Sequence, residues 1–330
     1  MIYYIFMRGN IDGICAAALY LRHINTEKYK IISCENFQLK DSLKNISKRE
    51  KDISIILINL DANLASEELH NLSELYSIII FTDKTISFSN KKNISVISDP
   101  DKSTCRIIHN WLENQEIILN DFDIYLTIIA DLGDRKRHFR EFPESTEIQV
   151  KNLSSALTLN PYDNEFRKRV LNEFIKGIPI KEIDEIRIKA VTVKYLTDRI
   201  FDLSRLHKKL EGNNIVIYEY NENDIVIFNG VEYKMRGRFS YLTKQLAIIN
   251  KKICFILIHK PDEKEGCYIV MRKHNNIKMS LLEIAKLLKK YLISKCKMNE
   301  KDITYNGNPF AASMNINVDI NHIGLNDFIN

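Results

Sequence analysis

The chain has 330 residues, a length that favours two domains over one. Hydrophobic residues make up 45% and charged residues 28%, the balance of an ordinary soluble globular protein. The formal net charge of +5 at pH 7 permits contact with nucleic acid without requiring it. No run approaches the ~20 apolar residues of a membrane span, and the first residues lack the features of a signal peptide. We therefore expect a cytoplasmic protein with no membrane partner.

The cysteines do not form a metal-binding pattern. There are six of them, and no CxxC pair occurs, so we expect no zinc site. Cys254 and Cys267 lie within apolar runs, as reduced core residues of an intracellular protein do.

The first half of the chain alternates strand and helix patterns. Apolar runs predict strands at IYYIFM, KYKIISC, SIILIN, SIIIFT and SVIS. Helices are predicted between and after them, at DGICAAALYLRHI, SEELHNLSEL, TCRIIHNWLEN and DFDIYLTIIADLG. Continuous apolar strands separated by helices predict a parallel sheet that is covered on both faces. Ligands of such sheets collect at the carboxyl ends of the strands.

The second half begins with helical patterns and then returns to strands. Residues 161–212 predict a helical linker. Its long amphipathic segment IKEIDEIRIKAVTVKYLTDRIFDLSRLHKKLEG is typical of a connecting helix. Strands follow at NIVIYEY, DIVIFN, KICFILIHK and GCYIVMRK, with helical segments near residues 238–250 and 279–294. The pattern predicts an α/β protein with a domain at residues 1–160 and a second, smaller α/β domain at residues 213–330.

Four polar loops of the first domain resemble the motifs of a known family. RGNIDG follows the first strand, NLDAN follows SIILI, TDKT follows SIIIF, and DLGDR ends the helix YLTIIA. In this order they resemble the four motifs of the DHH phosphoesterase superfamily, which includes the RecJ nucleases. In that family the motifs hold two divalent metal ions, usually manganese, around a phosphodiester. The resemblance implies that residues 1–160 form a DHH-like domain.

The second domain extends the resemblance. YNGNPFAASMNI is similar to the G-G-H-P-x-A-A-G signature of the family. MRGRFS is similar to the glycine-arginine turn of its DHHA1 domain, and YIVMRK is similar to that domain's strand-end arginine. The resemblance implies a DHHA1-like domain that grips a nucleic-acid backbone in one groove. The nucleic-acid-binding candidates are Arg236, Arg238, Lys244, Arg272, Lys273 and Asn308. The basic stretch RKRHFR at residues 135–140 follows the fourth motif and is expected at the mouth of the cleft.

Matched residue by residue, most ligand positions of the resembled family carry a different side chain here. Arginine and asparagine replace His and Asp in the first loop, asparagine replaces Asp in the second, and threonine and lysine replace Asp and His in the third. The degenerate metal-site positions are Arg8, Asn10, Asp12, Asn59, Asp61, Thr82, Asp83, Lys84 and Asp134.

These replacements predict a site that does not catalyse a reaction. A two-metal centre needs several carboxylates and imidazoles to offset the charge of two divalent cations. Arg8 and Lys84 would add fixed positive charge, and at ~4 Å each repulsion costs several kcal/mol. We therefore expect salt bridges between these cations and the remaining aspartates, with no catalytic residue, no metal and no cofactor. Gly13 and the small residues at 16–18 are expected to let the first helix lie close to the sheet.

The resemblance implies a non-catalytic RecJ-like replication factor, similar to Cdc-forty-five and to the Sulfolobus-type archaeal RecJ-like proteins. Its implied partners are GINS and the MCM helicase, with single-stranded DNA as a further candidate ligand and a nucleoid-associated location. Two alternatives stay open. One is an active manganese-dependent DHH nuclease or phosphodiesterase that uses Asp12, Asp61 and Asp134. The other is a stand-alone single-stranded nucleic-acid-binding protein.

Overall fold

The computed structural model divides the chain into two units, Met1–Val191 and Thr192–Asn330. The boundary falls inside the predicted linker. The structure describes residues 1–24, 28–46, 52–87, 93–134, 142–160, 163–222, 224–228, 231–234, 239–260 and 266–317, with Leu325 and Phe328. No helix in these ranges has the length and apolarity that crossing a bilayer requires.

The described part of the first unit contains one five-stranded sheet in which all neighbouring strands are parallel. Its strands are β1 (Ile2–Met7), β2 (Tyr29–Ser33), β3 (Ile53–Ile58), β4 (Ser77–Thr82) and β5 (Ile94–Ser98). The strand order is β2-β1-β3-β4-β5. Chain connections leave β1 and β3 in opposite directions along the sheet, which makes their carboxyl ends the topological switch point. The predicted α/β fold with a parallel sheet is confirmed.

Helices cover both faces of this sheet. The helices of the unit are α1 (Ile11–His23), α2 (Leu39–Lys44), α3 (Ser66–Ser73), α4 (Thr104–Asn114), α5 (Asp121–Gly133), α6 (Glu144–Leu159) and α7 (Asn164–Ile175). The helix α8 (Asp184–His207) contains the boundary between the two units. Alternate strand residues enter two separate cores, because side chains of a strand point to opposite faces. Ile5 and Met7 pack with α1, α4, α5 and α7, whereas Tyr4 and Phe6 pack with α2 and α3.

Small residues bring α1 close to its neighbours, as the sequence predicts. Ala16, Ala17 and Ala18 are fully buried in the core that α1 shares with the sheet. A Cβ on Gly13 would lie 2.1 Å from the carbonyl oxygen of Arg8, so no larger residue fits between the helix and the loop before it.

The second unit has a mixed sheet. Its strands are β6 (Lys208–Glu211), β7 (Ile215–Asn221), β8 (Ile225–Phe228), β9 (Val231–Lys234), β10 (Ile253–His259), β11 (Cys267–Lys273), β12 (Ile303–Asn308) and β13 (Ala311–Ile316). Its two principal helices in the described residues are α9 (Phe239–Asn250) and α10 (Leu281–Lys295). The sheet order is β12-β13-β11-β10-β7-β6, and β8 pairs with β9 separately. Ile269 and Met271 of β11 pack in one core with α10.

Candidate functional site

The loops that follow β1 and β3 are hydrogen-bonded to each other at the switch point. Asn10 caps α1 by accepting the N–H of Gly13 at 2.9 Å. Asn59 directly follows β3, and its side-chain Nδ2 donates to Asn10 Oδ1 at 3.2 Å and to Asp12 Oδ2 at 2.8 Å. The first two loops of the predicted site therefore do meet, because both lie at carboxyl ends of neighbouring parallel strands.

Asp12 is the centre of this contact and is only 1% exposed. Its carboxylate also accepts the backbone N–H groups of Thr104 at 2.8 Å and Cys105 at 2.9 Å, in the first turn of α4. Burial raises the pKa of Asp12 to about 7, the two N–H donors act against this rise, and the charge of Asp134 adds to it. The Asp12 side chain thus joins the β1 loop, the β3 loop and α4.

Asn59 has a backbone conformation that asparagine tolerates well. Its φ of 58° lies in the left-handed region, where Asn is enriched among residues other than glycine. Its N–H donates to the carbonyl of Phe81 at 2.9 Å, so the residue also joins the loop to β4. An aspartate here would place a second carboxylate against Asp12. The amide of Asn59 instead donates an N–H to Asp12, so a hydrogen-bond donor stands where an aspartate would be an acceptor.

The side chains present do not fit a manganese centre of the kind that the resembled family carries. Divalent cations bind oxygen and imidazole donors, and an N–H group repels them. Both oxygens of Asp12 accept N–H groups, and Asn59 points its N–H into the site. Within the described residues, no three His, Cys, Asp or Glu side chains are placed together to hold a metal ion.

Arg8 and Lys84 are both partly exposed. The Arg8 side chain, 35% exposed, pairs with Glu35 at 3.4 Å, and the Lys84 side chain, 43% exposed, pairs with its neighbour Asp83 at 2.9 Å. The predicted pairing of Lys84 with a site aspartate is confirmed. The predicted pairing of Arg8 with one is wrong, because Glu35 follows β2, the other parallel neighbour of β1, and reaches the arginine there.

Asp61 and Thr82 stabilise the loops locally. Asp61 Oδ1 accepts the backbone N–H of Asn63 at 3.2 Å and its side-chain Nδ2 at 3.0 Å, which caps a short 3₁₀ helix. The buried hydroxyl of Thr82 donates to the carbonyl of Leu60 at 3.0 Å and accepts the N–H of Lys84 at 3.2 Å. Hydrogen bonds of Thr82 therefore connect the third loop to the second.

The end of α5 contributes two aspartates, Asp134, which the sequence analysis singled out, and Asp131, which it did not. Asp134 ends α5, and its charge acts on Asp12. One turn earlier, the buried Asp131 accepts the hydroxyl of Ser103 at 2.6 Å and pairs with the guanidinium of Arg106 at 2.6 and 3.2 Å. The available signal was Ser103, a favoured N-cap residue directly before the helix TCRIIHNWLEN.

Arg167 is a second residue that the sequence did not indicate. It is buried, and its Nε donates to the carbonyl of Gly9 at 2.8 Å. A Cβ on Gly9 would lie 2.3 Å from that nitrogen, so the glycine makes room for the arginine. Because Arg167 belongs to the charged run FRKR on α7, nothing in the sequence distinguishes it from the exposed cations beside it.

In the second unit, Arg272 and Lys273 do not share one groove. Arg272 donates to the hydroxyl of Ser240 on α9, and burial lowers the pKa of its guanidinium. Lys273 donates to the carbonyl of Met279, just before α10, at 2.7 Å. The expectation of a single groove for these two residues is wrong, because neighbours on a strand point to opposite faces of the sheet.

The remaining nucleic-acid candidates have different surroundings. Asn308 accepts the backbone N–H groups of Phe310 at 2.8 Å and Ala311 at 2.9 Å, so its Oδ1 closes the turn between β12 and β13. Lys244 is exposed on α9. Arg236, Arg238 and residues 135–140 lie outside the described residues.

No protein-family model matches the chain, and no curated protein matches its sequence significantly. Solved structures do match it. A DHH-domain protein described as a member of the s1p family of ribosomal proteins has a TM-score of 0.58 and 13% identity, over 96% of this chain and 82% of that one. Exonuclease RecJ bound to manganese has a TM-score of 0.58 and 9% identity, over 96% and 86%.

The chain has the DHH-domain, RecJ-like fold. CDC45 from Entamoeba histolytica also shares this fold, with a TM-score of 0.55 and 9% identity, over 96% of this chain and 92% of that one. At these identities the likeness establishes the RecJ-like fold alone. The chemistry that this protein can carry out depends on the side chains at the switch point of its sheet.

We expect Asp12→Asn to change how stability depends on pH. The pKa of Asp12 is about 7 in the folded protein against an ordinary value of 3.8, so between about pH 4 and 7 the folded chain holds a proton that the unfolded chain has released. The free energy of unfolding of the wild type should therefore fall with rising pH across this window, by up to about 1.4 kcal/mol per pH unit, relative to the variant. Urea unfolding of both proteins measures this. A difference that stays constant with pH would contradict the prediction.

Two arginine variants separate buried from exposed ion pairs. Arg106→Met leaves the buried Asp131 carboxylate without its guanidinium and should lower the free energy of unfolding by about 3–5 kcal/mol. Arg8→Met removes an exposed pair and should cost less than about 1 kcal/mol. Denaturant unfolding compares the two. Equal losses would contradict this distinction between the two ion pairs.

Proposed function

We propose that this chain is a non-catalytic RecJ-like protein of the DHH superfamily, a replication factor that binds GINS and stimulates the MCM replicative helicase. The observation that carries the proposal is the hydrogen bond from Asn59 Nδ2 to Asp12 at the switch point. An amide donor and a carboxylate acceptor lie at the two positions where the resemblance implies a pair of metal-binding carboxylates.

The chemistry of the site supports the absence of catalysis. Metal-assisted phosphodiester hydrolysis needs cations that stabilise the attacking and leaving oxygens. Asp12 is fully engaged by N–H donors, Asp61 caps a short helix, and Asp83 pairs with Lys84. A cation at Asp12 would displace N–H donors from both of its oxygens, and at Asp61 Oδ1 or Asp83 Oδ2 it would compete with the contacts named here.

The fold supports a role in replication. The chain matches CDC45 over nearly the whole of both proteins, and it matches RecJ to a similar extent. A RecJ-like chain that keeps both units without metal ligands is expected to act by binding. The motifs that resemble the DHH and DHHA1 signatures occur in the family's order along the whole chain, and this favours an intact binding protein.

A stand-alone single-stranded nucleic-acid-binding protein is the second candidate. It is favoured by the exposed aromatic and basic side chains at the turn between β12 and β13 in the second unit, where the ammonium of Lys273 lies 5.1 Å from the ring centroid of Phe310. This candidate needs no partner protein, so the binding of GINS distinguishes it from the first.

Incubation with single-stranded DNA or RNA in the presence of manganese or magnesium should leave the nucleic acid intact. The reason is that the site offers N–H donors where cations must bind. The informative control is the double variant Asp12→Ala, Asp134→Ala. Degradation by the wild type that disappears in this variant would contradict the proposal and favour the manganese-dependent enzyme. Degradation that persists in the variant identifies a contaminant.

The purified protein should co-elute with GINS on a sizing column, and the complex should raise DNA unwinding by MCM above the rate of MCM with GINS alone. Subunit interfaces rest on apolar anchors that exclude water, so the complex should survive moderate salt. If the wild type does not co-elute with GINS at low or moderate salt, the replication role fails and the stand-alone nucleic-acid-binding protein takes its place.

A further inference from the structure

We propose that the loop between α4 and α5 docks on the outer face of α10 in a second copy of this chain, with Ile118 as the apolar anchor of the contact. This association goes beyond the proposed function and needs neither GINS nor nucleic acid. Ile118 is 93% exposed, although isoleucine is among the residues most often buried in proteins. An exposed apolar side chain that is held in one place is the kind of anchor that dominates the energy of protein interfaces.

The loop holds Ile118 at a fixed position. Its neighbours Ile117 and Leu119 both pack against the core of the first unit, so Ile118 is the one residue of the three that extends into solvent. The N–H of Ile117 donates to a carbonyl in the last turn of α4 at 3.1 Å. On the other side of the loop, Asn120 and Asp123 cap α5 by exchanging hydrogen bonds of 3.0 and 3.1 Å. Because both ends of the loop are anchored, docking costs little conformational freedom.

The surface around this anchor is negative. Residues 107–134, which comprise most of α4, the loop and α5, contain six aspartate and glutamate residues and no lysine or arginine. Asp123 and Asp131 are buried and pair with arginines from outside this segment. The exposed acids nearest to the anchor along the chain are Glu116 and Asp121. A surface that complements the loop is therefore positive as well as partly apolar.

The outer face of α10 in the second unit has these two properties. Residues 286–297 contain five lysines and no aspartate or glutamate, and the nearby Glu300 pairs with Lys289 at 3.3 Å. Leu287 is 54% exposed on this face. Four exposed residues at the spacing i, i+3, i+4 and i+7 surround one hole on the helix surface, and they are Glu283, Lys286, Leu287 and Lys290. The hole has one acid against two lysines, whose methylene stems extend the apolar surface of Leu287.

The loop of one copy and the hole of another are complementary. Ile118 would enter the hole and contact Leu287, and the lysines of the hole would meet the acids beside Ile118. Both surfaces are exposed in the single chain, so each is available to a second copy. The contact joins two different surfaces, which makes it heterologous. With one anchor and few ion pairs, the association is expected to be transient and to weaken as salt rises, since exposed ion pairs are screened.

Sedimentation velocity of the full chain measures the association, between about 1 and about 100 µM protein at two salt concentrations. The wild type should change from the 38.6-kDa monomer to larger species as its concentration rises, and less so at the higher salt. Ile118→Asp removes the anchor and should weaken the association roughly 30-fold or more. The double variant Lys286→Glu, Lys290→Glu reverses the charge of the hole and should weaken it roughly 10-fold or more. All three replaced residues are exposed, so both variants should fold as the wild type does.

A mixture of the two variants tests the heterologous contact directly. The double variant keeps Ile118, and Ile118→Asp keeps the hole on α10. The two variants should therefore form a one-to-one complex at concentrations at which each alone is monomeric. Leu75→Asp is the matched control, because Leu75 is 58% exposed but follows α3, on the other face of the first sheet. It should associate as the wild type does.

The inference is overturned if the wild type stays monomeric up to the highest concentration, if either variant associates as the wild type does, or if the mixture forms no complex. Equal weakening by Leu75→Asp also overturns it. If the wild type alone is monomeric and Ile118→Asp loses GINS, the loop binds a partner protein and the self-association is wrong. Binding of GINS by the wild type is measured separately, so the proposed function and this contact can fail independently.

Discussion

Asp12 accepts hydrogen bonds from the side chain of Asn59 and from two backbone N–H groups of α4, and the arrangement of the carboxyl-end loops depends on this contact. A carboxylate removed from water is stable only when its oxygens are paired. Its donors come from segments 47, 92 and 93 positions away, so the loop after β3 and the start of α4 must assemble around it together. The start of α1 joins the same network, since Asn10 caps that helix and also accepts from Asn59.

Under the proposal that the metal ligands have been lost, the same contact accounts for how the loops keep their arrangement. An aspartate at position 59 would face Asp12 and would need a cation between the two carboxylates. Asparagine supplies an N–H donor in place of the cation and adopts the left-handed φ of 58° that the position has. Nearby charges are then compensated separately. Asp131 pairs with Arg106 on α4, and Arg8 pairs with Glu35 closer to solvent.

The sequence predicted the parallel sheet well because its central strands β1, β3 and β4 are mostly apolar runs. The order of the loops correctly brought Asn10, Asp12 and Asn59 to one edge. Which residues pair could not be predicted. Asp131 with Arg106 and Arg167 with Gly9 join positions 25 and 158 apart, and such contacts depend on how the helices pack. For Arg8, several acids were within reach of the loop, and spacing does not say which one the side chain meets. The sequence could have predicted that Arg272 and Lys273 are separated. They are consecutive residues of the strand β11, so their side chains point to opposite faces of the sheet.

The most direct measurement is a manganese titration followed by electron paramagnetic resonance, on the wild type and on Asn59→Asp. If the hydrogen bond from Asn59 to Asp12 has replaced the metal, the wild type should leave the signal of free manganese undiminished at micromolar concentrations. Asn59→Asp, which exchanges the donor for a carboxylate, should bind manganese more tightly than the wild type. One or two tightly bound ions in the wild type, lost in Asp12→Asn, would contradict the account.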